Sequence, residues 1–201
     1  MMNSIFLEEV TATRLSHDLI GNIGAVNNAV ELFSECDEGD DIEDIKNILD
    51  FSAKVLSKRL KFFRVCFGLS NAAVKSIDEL YEICADYLST LGNPERPIKL
   101  VMEIETPKIH KIIMPAVMMM ADAIIKGGVL EIKQNALGVK VTAMSDFALD
   151  EAKLANIDLI INGNEVKENP SAYAPLYYLL AYLQGSDVEV KRDSNVLVIG
   201  E

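Results

Sequence analysis

The sequence predicts an α+β protein: an N-terminal antiparallel helical hairpin over residues 1–70 that pairs with a second copy into a four-helix bundle, then a mixed helix-and-sheet layer over residues 71–201. Three observations carry this. Apolar residues recur at helical spacing through two long segments joined by the acidic turn DEGDD, residues 37–41. Beyond Gly68 the chain changes to short alternating runs separated by turn residues and shorter helical stretches. Neither long helix can hide its apolar stripe inside a hairpin alone, so a second copy is expected to cover it.

The first helix starts near Asn3 or Ser4, either of which can cap it, and ends by Cys36. Its stripe is Leu15, Leu19, Ile23, Val26, Val30 and Phe33. The second begins near Asp41, carries Ile42, Ile45, Leu49, Leu56, Leu60, Phe63 and Phe67, and stops at Gly68. Its acidic residues fall early and its basic ones (Lys54, Lys58, Arg59, Lys61, Arg64) late, an order that suits the helix dipole. In an antiparallel hairpin that basic end returns beside the start of the first helix.

Ser76 and Glu79 form a capping box for a short helix ending at Leu88. IKLVMEI (98–104) reads as a strand, Ile109 to Ile125 as a helix ended by Gly127-Gly128, and VLEIKQ and GVKVTAM as two strands around a turn at 135–138. Ser145 to Pro170 is hard to read, with NIDLIINGNEV a short strand or a turn of helix. APLYYLLAYLQG is a helix stopped by Gly185, and DVEVKR with NVLVIG closes the chain as a hairpin. The second half is therefore expected to be a separate small α/β domain with a largely antiparallel sheet of about five strands.

Composition narrows the function classes. A formal net charge of -12 argues against a general nucleic-acid binder and against an anionic membrane surface. Cys36, Cys66 and Cys84 are odd in number and widely spaced, which suits buried thiols in a reducing compartment better than disulfides or zinc. No signal peptide is visible, and the apolar run before Asp122 is too short to span a bilayer, so a cytoplasmic location is expected.

The chemistry centres on His17. At 3.6 residues per turn it points about 165° away from the middle of the apolar stripe. Val10, Arg14, Gly21, Gly24 and Asn28 share its face. Two glycines inside a helix cost about 1 kcal/mol each relative to alanine, so something else accounts for them, most simply the close approach of another body beside the histidine. No histidine or cysteine lies at a metal-ligand spacing from His17, and no Gly-x-Ser-x-Gly elbow occurs. What remains is the imidazole as a nucleophile: largely neutral at pH 7, it can attack an electrophilic phosphorus. Asp18 can accept a hydrogen bond from the ring and fix its tautomer, although neighbours in a helix do not face each other well. His110, just after Pro107, reads as an ordinary surface or boundary residue, and Gly127-Gly128, Gly138 and Gly163 as turns rather than nucleotide loops.

The stretch RLSHDLIG, residues 14–21, resembles the phosphoacceptor motif of two-component histidine kinases. The fuller likeness is to the ChpT-type histidine phosphotransferases of alphaproteobacteria, through Arg14 to Asn28, KFFRVCFG (61–68), the helix-Gly-Gly-strand element from Ala116 to Ile132, and the last helix and hairpin. The resemblance implies a homodimeric, cytoplasmic phosphorelay intermediate whose second domain is a degenerate histidine-kinase-ATPase-like sandwich. It implies His17 as phosphoacceptor, with Asp18 beside it in the catalytic set. Partner binding then falls to Arg14, Gly21, Asn22, Gly24 and Asn28, with Lys61 and Arg64 from the second helix. The partners implied are receiver domains of a hybrid histidine kinase and of response regulators that control transcription and the cell cycle. Magnesium would come with the receiver, leaving no metal or cofactor on this chain. PAVMMMADAIIKGG lacks the Asn of a working ATPase helix, no Asp-x-Gly-x-Gly occurs, and Asn22 stands where many relatives have proline. Autokinase activity is therefore not expected. The competing readings are a non-catalytic receiver-binding scaffold or inhibitor, an ATP-dependent histidine kinase, and a regulator of unrelated partners in which His17 is a bystander.

Overall fold

The computed structural model describes residues 4–35, 42–69 and 74–200. Helices α1 (Ser4–Glu35) and α2 (Ile42–Phe67) run antiparallel, and α3 (Ile77–Leu88) follows. Then come β1 (Ile98–Glu103), α4 (His110–Ala121), β2 (Gly128–Asn135), β3 (Gly138–Met144), α5 (Glu151–Ile161), α6 (Ala174–Tyr182), β4 (Glu189–Asp193) and β5 (Val196–Gly200). The chain is α+β, its helices set against one mixed five-stranded sheet. The acidic turn at 37–41 and Cys36 lie outside the described residues.

The sheet has the order β1-β2-β3-β5-β4, with β1 parallel to β2 and every other pair antiparallel. A parallel pair needs a crossover, and α4 supplies it. Leu130, Ile132, Val139, Val141, Leu197 and Ile199 are buried while their neighbours along each strand are more open, so one face of the sheet is covered. Helix α4 fills the centre. Eleven of its twelve residues are buried, among them Met114, Met118, Met119 and Met120, as expected of a helix that is apolar on every side.

Two details depart from the sequence reading. Residues 151–161 form a three-turn helix capped by Asp150, whose carboxylate accepts from the Lys153 amide at 2.9 Å. His110 is buried rather than at the surface, with Nδ1 3.2 Å from the Pro107 carbonyl oxygen. Burial lowers its pKa below the ordinary 6.5, outweighing the Pro107 bond.

One core runs through both halves. Val10 of α1 and Phe62, Phe63, Val65 and Cys66 of α2 join the same buried cluster as Leu80, Tyr87, Ile113, Met118 and Leu176. Phe62 stacks on Tyr87 at 4.0 Å between centroids, and Phe6 meets Tyr177 edge-on at 5.2 Å. Lys111, from the first turn of α4, donates to the carbonyls of Cys66 and Gly68 and so caps the end of α2. The packing therefore fixes the proximal end of the hairpin on the second half.

The distal end is bare. Ile23, Val30 and Phe33 of α1 and Ile42, Ile48 and Phe51 of α2 are all exposed. Leu15 and Leu19, by contrast, pack against the shared core. Among the described residues, no helix is long and apolar enough to cross a membrane.

Candidate functional site

Where the second half meets the middle of α1, one imidazole projects outward. The His17 side chain is 83% exposed, and its Nδ1 lies 3.3 Å from Asp18 Oδ1. That contact is long for a hydrogen bond but within reach of one. Neighbours in a helix rarely meet, and here the carboxylate has been brought to the ring by a third group. Asp18 is only 14% exposed, and its Oδ2 accepts from Arg14 Nε at 2.7 Å, one helical turn earlier.

Arg14 was expected to face a partner. It faces inward instead, its side chain 11% exposed, because the second half covers α1 up to this point. Its Nη1 donates to the Ala172 carbonyl at 3.2 Å and lies 2.8 Å from Asp122 Oδ2. Its Nη2 donates to Asp122 Oδ1 at 3.2 Å. Burial opposes the charge on Arg14, but Asp122 and Asp18 outweigh it and push the guanidinium pKa up. Lys153 shares that Oδ2 with Arg14, its Nζ donating to it at 2.8 Å.

The basic end of α2 does return to this level, through a residue the sequence reading did not single out. Arg59 donates to the Asp18 carbonyl oxygen, to Thr90 Oγ1 at 3.1 Å and to the Thr90 carbonyl at 3.0 Å. Lys61 and Arg64 are exposed and form no ion pair among the described residues. Nothing in the sequence ranked Arg59 above its basic neighbours. Its partner Thr90 follows α3, and that proximity is purely tertiary. Beneath the cluster the Tyr87 hydroxyl is buried with no hydrogen-bond partner among the described residues, and burial raises its pKa.

On the outer side there is room. A Cβ placed on Gly21 or on Gly24 would meet nothing within 4 Å among the described residues. Asn22 is half-buried, while Asn28 is exposed farther along the helix. The structure thus brings His17, Asp18 and Arg14 together, leaves Gly21 and Gly24 open, and adds Arg59, Asp122 and Lys153. Chemically the arrangement is an exposed nitrogen nucleophile with an anchored carboxylate behind it.

Three comparisons bear on this geometry. The chain is 35% identical over 77 residues to protein phosphotransferase ChpT of Brucella abortus (strain 2308), a match that covers 38% of this chain and 35% of that relative. The chain is similar over 99% of its length to a solved bacterial phosphotransferase, with a TM-score of 0.72, 97% of that chain covered and 18% identity. At that identity the likeness establishes the fold. No family model matches the chain.

Proposed function

We propose that the protein is a histidine phosphotransferase that relays a phosphoryl group through His17, between the phosphoaspartate of one receiver domain and the receiver domains of response regulators. The observation that carries this is the exposed His17 ring with its Nδ1 against an anchored Asp18 and open space over Gly21 and Gly24. The stretch of identity with a protein phosphotransferase and the shared fold support it.

A neutral imidazole whose proton sits on Nδ1 can donate to Asp18 and keep a lone pair on Nε2, the nitrogen that reaches away from the helix. In the forward step that lone pair forms the N–P bond, the P–O bond of the acyl phosphate breaks, and the departing carboxylate keeps its electron pair. The ring then carries positive charge. The Asp18 carboxylate faces it and offsets that charge. Both the acyl phosphate and the phosphohistidine are high in energy, so transfer is reversible and the protein contributes mainly position and field. Magnesium belongs to the receiver on this reading.

The exposed apolar residues at the distal end of the hairpin support pairing with a second copy as a four-helix bundle, residues 1–70 forming the phosphoacceptor and dimerisation unit. Residues 71–201 are read as a degenerate ATPase-like domain without nucleotide binding, since α4 presents methionines and no Asn where a working ATPase helix holds its ligand.

The test is to incubate the purified chain with a receiver domain phosphorylated by a small acyl phosphate. An acid-labile, base-stable phosphate should appear on the chain and vanish in His17→Ala. Receiver binding by both forms with label on neither leaves only the scaffold. Micromolar ATP affinity would favour the kinase.

A further inference from the structure

We infer that Asp122, at the end of α4, is a positioning residue for His17: it anchors Arg14, Arg14 anchors Asp18, and Asp18 sets the imidazole proton on Nδ1 so that Nε2 faces the partner. The inference rests on the phosphoacceptor reading of His17 and assigns the second half of the chain a part in it.

The geometry forms a single path. Asp122 meets both terminal nitrogens of Arg14, Arg14 Nε meets Asp18 Oδ2, and Asp18 Oδ1 meets His17 Nδ1. Each link uses a different atom of its residue, so one group can hold two neighbours at once. A guanidinium is planar, and its fork matches carboxylate geometry, so fixing one edge fixes the direction of the Nε–H. Arg14, Asp18, Asp122 and Lys153 are each 14% exposed or less at the side chain, which limits solvent screening of these pairs. An unanchored Asp18 on an open helix would swing between rotamers and meet the ring only part of the time.

A second observation sets Asp122 apart from an ordinary surface carboxylate. It is the C-cap of α4, where the unsatisfied carbonyls carry partial negative charge and a carboxylate is disfavoured. Helix stability does not account for it there. Its two cationic partners, Arg14 and Lys153, do.

The experiment uses the full chain, uniformly labelled with nitrogen-15. It holds only two histidines, so His17→Gln identifies the ring signals. In the wild type the neutral His17 ring should carry its proton on Nδ1. Asp122→Asn should shift the ring toward the Nε2–H form and slow phosphoryl transfer from a phosphorylated receiver about tenfold to a hundredfold, the scale of a misplacement near 1 Å. Asp122→Glu should recover part of both. Arg14→Lys keeps the charge without the fork and should behave like Asp122→Asn, which covers the case of an unfolded Asp122→Asn chain. A wild-type ring protonated on Nε2, or folded variants with tautomer and rate unchanged, would overturn the inference. If the wild type takes up no phosphate at all, the phosphoacceptor reading falls, and the ring shifts still decide whether Asp122 positions His17.

Discussion

Gly21 and Gly24 sit inside α1 and a Cβ at either meets open space, so alanine there should stabilise the fold while obstructing its use. Glycine in a helix interior costs roughly 0.5 to 1 kcal/mol relative to alanine, and no clash subtracts from the gain, so the double variant Gly21→Ala/Gly24→Ala should gain about 1 to 2 kcal/mol. For a chain of this size each kcal/mol raises Tm by about 2 to 4 °C, which gives a rise of about 2 to 8 °C. Two methyl groups on the face beside His17 should push a docked receiver outward, and transfer from a phosphorylated receiver should slow about tenfold or more. Thermal unfolding by circular dichroism gives the first quantity and a quenched time course of label transfer gives the second. A higher Tm with transfer unchanged would refute the argument that these glycines serve close approach. A lower Tm would mean that the space is filled in solution.

Other expectations follow from the same packing. Lys111→Met should cost about 1.5 to 3 kcal/mol in urea unfolding, because the Cys66 and Gly68 carbonyls lose a charged donor at the end of α2. His110 has a folded pKa below 6.5, so the unfolded chain takes up its proton first as pH falls and stability drops below about pH 6.5. Urea midpoints at pH 7.5 and 5.5 should therefore differ less in His110→Gln than in the wild type. Cys66 and Cys84 are fully buried and burial pushes both thiols up, so neither should react with a thiol reagent at pH 8 until the chain unfolds, as mass spectrometry of the labelled native protein can establish.

The elements that announce themselves locally were legible in the sequence. The two long helices, the Ser76 cap of α3, the β2–β3 and β4–β5 hairpins and the outward setting of His17 all follow from spacing and turn residues within a few positions. Helix α5 was missed because its hydrophobic pattern is nearly uniform around the axis, so only the Asp150 cap marked it. The capping box at Ser76 also forms with a shift: Glu79 donates its amide to Ser76 Oγ, but its carboxylate accepts from the Lys75 amide.

Helical periodicity depends on nothing beyond the segment, so residue order alone puts an imidazole on the side of α1 away from its apolar stripe, with two glycines beside it. The company that imidazole keeps is set instead by packing between distant segments. Asp122 lies 108 positions from Arg14, and Arg59 lies 41 from Asp18. Those pairs form because α2, α6 and the turn at 170–173 pack on α1 while α4 packs on α2 and α6, and burial of the shared apolar core, which has no directional preference of its own, is what brings the charged groups within hydrogen-bonding range.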